Sequence, residues 1–304
     1  LSSPEAIMED KAMEELFPDT TYGVESGGDP EVIPTLSFRE FSEFHRRFYH
    51  PSNSYIYLYG DMDIDETLKF IDQEYLSHFD ARNVYSAVKT QSPLPKRKIV
   101  EAPFGISENE SLEKKTIHAL YIALNDHITT EESLAFKILS YVLVDMDGAP
   151  LKKAVLDAGI GNDVSSAYGD SYKQPVWTIE VTGSEIDKRE KFISTVDLVL
   201  RNLALDGIDR NMLEAALNRT EFILRENDFQ GKPKGLLYGV RAMDLWLYDR
   251  DPMQALKYID DIKELRNNLD KGYFENLLLK YVIKNTHQVL ITMKPERGLT
   301  EKKN

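Results

Sequence analysis

The chain contains no cysteine, which excludes disulfides, thiolate metal ligands and thiol nucleophiles. It also has no uninterrupted apolar run near the roughly 18 to 20 residues a membrane-spanning helix needs. The longest near candidate, 134–144, is short and holds Lys137. Positive charge is in deficit: 37 Lys and Arg stand against 51 Asp and Glu, a formal charge of −14, which repels phosphate backbones and acidic lipid surfaces. Nucleic acid and membrane are therefore not expected partners, and the chain reads as soluble. An acidic surface suits cationic peptides, but it is far commoner as a solubility device. The opening residues LSSPEAIMED lack a charged-then-apolar signal pattern and begin with Leu rather than Met, so an upstream portion is expected.

What is present is ordinary in bulk and specific in detail. A chain of 304 residues with 42% hydrophobic content supports about two domains with a sizeable core. Residues 37–63 read SFREFSEFHRRFYHPSNSYIYLYGDMD. Phe38, Phe41, Phe44 and Phe48 fall three or four apart, so a helix gathers them on one stripe, expected to be buried. Pro51 stops that helix, and Tyr55-Ile56-Tyr57-Leu58-Tyr59 then reads as a strand closed by Gly60-Asp61.

This stretch resembles the end of the first peptidase-like domain in the pitrilysin/insulinase superfamily of zinc metallopeptidases, and is most similar to presequence proteases. FPDTTYGVESGGDPEVIP at 17–34 and LNDHITTEESLAFKILSYVLVDMDGAPLKKAVLDAGIG at 124–161 extend the resemblance over nearly the whole chain. It implies an α+β fold: a peptidase-like domain with a mainly antiparallel sheet covered by helices, preceded by the end of a similar domain. Residues 1–90 then form the carboxyl-terminal part of the first domain, 91–97 a linker, and 98–304 a second, noncatalytic peptidase-like domain.

The pattern along the chain agrees with that division. Residues 1–90 offer an acidic leading segment, a Gly/Pro-containing loop, the helix and strand above, and a second helix near 65–79. A lone strand leaves its donors and acceptors without ladder partners, so this one is expected to pair outside the segment. QSPLPKRK at 91–98, with two prolines and a basic cluster, reads as linker. Beyond it, 98–104 and 116–124 read as strands, the second buried on at least one side. Thr130 with Ser133 reads as a helix start, with Leu134, Ile138, Tyr141 and Val142 on one stripe. A short helix over 150–158, a hairpin over 163–183 and four long helices over 187–204, 210–225, 233–247 and 261–283 follow, then a strand at 287–293. YFENLLLKYVIKNTHQVLITMKP at 273–295 repeats the earlier helix-breaker-strand order, with Asn285 in the place of Asn53.

The chemistry is sparse. The family resembled uses an inverted zinc motif, His-x-x-Glu-His, and none of His45, His50, His78, His118, His127 or His287 begins such a run. His45 and His50, five apart, point about 140° away from each other on a helix, so they do not share a metal. They read as a surface residue and a helix carboxyl end. His118 reads as a hydrogen-bonded, partly buried histidine within a strand. Asn125-Asp126-His127 reads as loop, and no Gly-x-Ser-x-Gly is present. Gly159-Ile160-Gly161 lacks a third glycine for a nucleotide cradle, and Ser26-Gly27-Gly28-Asp29 reads as turn chemistry. Glu40/Glu43 and Glu131/Glu132 read as solvated faces or caps. Tyr238, Trp246 and Tyr248 read as helix packing rather than a peptide-binding surface. No catalytic or metal residue is assigned, and the substrate-binding residues are unknown.

The expected function is therefore a scaffold and chamber wall: an internal, non-zinc-binding segment of a zinc metalloendopeptidase that degrades unfolded peptides. The fragment itself needs no cofactor, while the parent carries Zn²⁺ upstream. Its expected partners are the upstream catalytic domain, the downstream half of the same chain and peptide substrates, in the cytoplasm or an organellar matrix. The alternative is a noncatalytic binding or assembly module of the same fold, which a parent reading frame without His-x-x-Glu-His favours. The cut strand edge is also expected to promote dimerisation.

Overall fold

Large apolar residues alternate along β2 (Thr116–Ala123), and every residue of this strand is buried in the computed structural model, which describes residues 3–226 and 233–299. Successive side chains of a strand point to opposite faces. Leu120 and Ile122 therefore enter one apolar core while Ala119, Tyr121 and Ala123 enter another. The sheet around it is completed by β1 (Lys98–Ile106), β3 (Asp163–Gly169), β4 (Val176–Ser184) and β5 (Gln288–Arg297), in the order β1-β5-β2-β4-β3. The β2–β4, β2–β5 and β3–β4 pairings are antiparallel and β1–β5 is parallel. This is the mainly antiparallel, helix-covered sheet expected from the sequence.

One face carries the larger core. Trp177, Ile179 and Val181 project from β4 as expected for the hairpin. They meet Phe136 and Ile138 of α4 (Thr130–Ser140), Leu151 and Val155 of α5 (Pro150–Asp157), and Phe192 and Val196 of α6 (Arg189–Asp206). Leu213 and Leu217 of α7 (Arg210–Glu226) join from outside. The helix over 150–158 and the first two of the four long ones thus form close to where they were read. α4 starts one residue earlier than expected: Thr129, in extended conformation, caps Glu132 N with its hydroxyl at 3.1 Å, and the Glu132 side chain returns to Thr129 N at 3.1 Å. Glu132 is therefore a capping-box residue.

The helix expected over 261–283 is two helices, α9 (Tyr258–Asn267) and α10 (Tyr273–Leu278). Between them Gly272 sits at φ +67°, a left-handed conformation that a continuous α-helix does not contain.

The opposite face is covered by an element that the acidic leading segment hides. α1 (Pro4–Leu16) buries Met8, Ala12, Met13 and Leu16 against Ile291, Met293, Ala102 and Phe104. Lys98 Nζ pairs with Glu15 at 2.7 Å across that boundary. Residues 91–97, without helix or strand, are pinned in place. Gln91 N donates to Gln174 Oε1 at 2.7 Å, and Arg97 forms a two-pronged pair with Asp197, both contacts 2.8 Å.

Two expectations over 37–63 are corrected. The helix forms as α2 (Phe38–Phe48) with Ser37 and Glu40 in a capping box, but its stripe is not buried: Phe38 is 84% exposed, Phe41 64% and Phe44 59%. A 3.6-residue period specifies that a face exists, not that its cover lies among the described residues. Residues 55–59 are extended but form no strand. Their N–H and C=O groups have no backbone partners among the described residues, and a strand is defined by its neighbour. The second helix follows as α3 (Ile64–Glu74).

Asn53 and Asn285 do the same local work. Asn53 Nδ2 donates to Phe48 O at 2.9 Å and Asn285 Nδ2 to Tyr281 O at 2.9 Å, each capping a carbonyl at the end of the preceding helical segment. Among the described residues, no helix is long and apolar enough to cross a membrane.

Candidate functional site

The histidines are dispersed: His78 lies exposed in the turn after α3, and the others have local contacts. His118 is fully buried with Nδ1 3.0 Å from Thr292 Oγ1 and Nε2 3.0 Å from Glu185 O. Burial pushes its pKa down. His287 donates from Nε2 to Leu16 O at 2.7 Å and is likewise depressed by burial. His45 stacks on Tyr49 at 4.7 Å, His50 accepts Ser52 N through Nδ1 at 3.1 Å, and His127 pairs with Asp126 at 3.2 Å. Among the described residues, no group of three or more His, Asp or Glu is arranged to hold a metal ion.

The paired carboxylates are equally committed. Glu40 accepts Ser37 N at 2.9 Å, and Glu43 lies 3.7 Å from Arg39. Glu132 accepts Tyr281 Oη at 2.9 Å, while burial raises Glu131. The glycine-containing stretches serve the backbone. Gly28 takes φ +85° in its turn. A Cβ on Gly161 would lie 2.6 Å from Thr182 O.

Sequence reading missed a cavity of about 830 Å³ bounded by α4, the end of α7, and α8 (Lys234–Trp246). Its walls mix apolar side chains such as Leu134, Leu224 and Leu245 with charged ones. The carboxylates in it are already engaged: Asp170 accepts Ser133 Oγ at 2.8 Å and pairs with Lys137 at 2.6 Å. Asp244 bonds Ser171 and is raised by burial. Arg219 lies over the Tyr141 ring at 4.2 Å, and burial lowers Arg250. These residues are scattered over more than a hundred positions and share no spacing, so no sequence signal announces the cavity.

Tyr238, Trp246 and Tyr248 do not make one surface. Trp246 packs on Tyr55 at 4.6 Å. Tyr248 faces the cavity and donates to Ser171 O at 2.8 Å. Instead α8 presents two glycines to the extended 55–59 segment. A Cβ at Gly239 would lie 2.6 Å from Tyr57 Cε1, and one at Gly235 1.9 Å from Tyr59 Cδ1. Tyr57 Oη also donates to Gly235 O at 2.9 Å. The arrangement offers packing, capping and a cavity.

Comparison with known proteins fits that inventory. A family model described as "Peptidase M16 inactive domain" matches residues 35–220. "Protein HypA" of Clostridium perfringens is 43% identical over 303 residues, covering 100% of this chain and 31% of that protein. "Presequence protease 1, chloroplastic/mitochondrial" of Arabidopsis thaliana is 34% identical over 307 residues, 97% of this chain and 28% of that protein. This chain thus spans less than a third of the length of these relatives. Among solved structures, a peptidase M16 inactive domain from Pseudomonas fluorescens superposes with a TM-score of 0.70 at 17% identity, over 97% of this chain and 66% of that one. A protease from Helicobacter pylori gives 0.71 at 15% identity, over 96% and 67%. These two likenesses concern the fold.

Proposed function

The chain belongs to the peptidase M16 inactive-domain family, and on that premise we propose that it is the non-zinc-binding scaffold and chamber wall of a zinc metalloendopeptidase that degrades unfolded peptides. The observation carrying this reading is the contrast between its two halves. Residues 98–299 build a sheet buried on both faces, whereas α2, the extended 55–59 segment and α3 leave large apolar side chains uncovered. Phe38, Phe41 and Phe44 would each contribute roughly 1.5–3 kcal/mol on full burial. The unladdered backbone beside them awaits a neighbouring strand. An upstream catalytic domain of the same parent supplies both, and the downstream half closes the enclosure.

In this reading 1–90 ends the first peptidase-like domain, 91–97 connects, and 98–304 is the second. Zinc does not fit the residues described. His118 has both ring nitrogens engaged, and among the described residues no group of three or more His, Asp or Glu is placed to hold a metal ion. In this proposal Zn²⁺ and the water it would activate are held by the upstream domain, and no hydrolytic step is assigned to this chain. The protein works in an aqueous compartment, cytoplasmic or organellar matrix, in keeping with relatives named for mitochondria and chloroplasts.

The test compares the full-length parent with this chain alone on an unfolded peptide, with and without a metal chelator. Chelator-sensitive cleavage by the parent and none by this chain is expected. Cleavage by this chain alone, or a parent that cleaves nothing, overturns the reading in favour of an enzyme in its own right or an assembly module respectively.

A further inference from the structure

The cavity bounded by α4, α7 and α8 has an uneven charge economy. Five cations (Lys137, Lys173, Arg219, Arg241 and Arg250) line it against the four carboxylates of Asp126, Asp170, Asp244 and Asp261, within a chain whose formal charge is −14. Each carboxylate has a partner: Asp126 holds Thr90 and His127, Asp170 holds Ser133 and Lys137, Asp244 holds Ser171, and Asp261 holds Thr130. Lys173 donates to Val88 O at 2.8 Å. Arg219 and Arg250 are different. Among the described residues neither guanidinium lies within ion-pair distance of a carboxylate; Arg219 rests on an aromatic ring with Asp145 in its field, and Arg250 is half-buried beside Tyr168.

Arg250 is half-buried while Arg219 stays exposed at the cavity wall, and a guanidinium is the side chain best shaped to grip an oxyanion with two parallel hydrogen bonds. Around it, Leu134, Leu224, Leu245 and Ala255 supply apolar wall. The volume of about 830 Å³ falls inside the roughly 300–1,000 Å³ of sites that take small organic ligands, where apolar walls hold the body and a few polar groups fix its orientation.

We infer that this cavity binds a compact organic anion with an apolar body, its oxyanion held by Arg250 and Arg219 and its body against Leu134, Leu224 and Leu245. The chemistry is shared by the free carboxyl end of a short apolar peptide and by an aryl phosphate. It does not depend on the peptidase reading, because the cavity lies wholly within residues of this chain.

The experiment is titration calorimetry on this chain with three probes: N-acetyl-Leu-Phe, its carboxamide, and phenyl phosphate. Saturable one-to-one binding of one or both anions is expected, with the carboxamide at least tenfold weaker. R250Q and R219Q are expected to weaken the anion at least tenfold each, the size of one lost charge-assisted contact. Carboxylate binding without phosphate assigns a peptide end, and the reverse assigns a phosphate ester. Binding of neither anion, equal binding of the carboxamide, or indifference of both variants to the bound anion overturns the inference. Should R250Q fail to fold, judged by circular dichroism, R219Q with the carboxamide comparison decides alone.

Discussion

His287, immediately before the last strand, donates its Nε2 proton to the carbonyl of Leu16 at the end of the first helix, 2.7 Å away. The bond ties the two extremes of the described fold together on the α1 face of the sheet, and it is buried. Phe17 adds an edge contact to the same imidazole at 5.8 Å. Losing the imidazole leaves a helix-end carbonyl buried and unpaired, which costs about 1–3 kcal/mol. H287A should therefore lower the urea midpoint and speed amide exchange across α1 more than across α7. Uniform acceleration would show that the bond is not what holds α1 down.

Acid should weaken the fold through the two buried histidines. His118 and His287 are both held below the ordinary value of 6.5 by burial. Above 6.5 both states are neutral and nothing is lost; as pH falls below it, the unfolded chain takes up protons that the native state refuses, so stability drops. Half-buried Glu180 and Asp244 are shifted upward by desolvation and act in the opposite sense. The readable quantity is thus a difference: an H118Q/H287Q pair should melt with a shallower pH dependence than the parent sequence between about pH 7 and 5.5. Parallel curves contradict the assignment.

Gly239 should resist a substitution that helices normally welcome. Ala is worth about 1 kcal/mol over Gly in a helix interior, yet a Cβ here would stand 2.6 Å from the Tyr57 ring. Overpacking of that kind costs roughly 1–3 kcal/mol. G239A should be neutral to destabilising alone and stabilising in a Y57A background, a sign change that a double-mutant cycle by denaturant melts detects. An additive cycle would mean that α8 and the 55–59 segment do not touch in solution.

The uncovered stripe of α2 should drive self-association of the isolated chain. F41S/F44S is expected to reduce concentration-dependent light scattering while shifting the melting temperature by little, since both rings are more than half exposed and surface changes rarely exceed about 0.5 kcal/mol. Unchanged scattering would assign any association to another surface.

Legibility in the sequence followed locality. The β3–β4 hairpin, the Trp177 face, α5, α6 and the matching positions of Asn53 and Asn285 are readable because each rests on residues a few positions apart. The two failures over 37–63 share one cause: period and propensity describe an element, while burial and laddering depend on its neighbour. α1 escaped because Met8, Ala12, Met13 and Leu16 sit among acidic residues that dominate the reading. The break at Gly272 was visible as a glycine, but a single glycine does not by itself end a helix. The cavity could not be read, since Lys137, Arg219 and Arg250 come to line it only through the packing of separate elements.

The sheet is finished by its last strand. β5 lies between β1 and β2, so during synthesis β1 emerges with no neighbour, and the ribosome must deliver nearly every other element before the middle of the sheet arrives. Until then β1 and the β2–β4–β3 group are separate, each with an exposed edge, and the α1 face has nothing continuous to dock on. A nascent chain of this kind stays vulnerable to mispairing until translation passes Arg297.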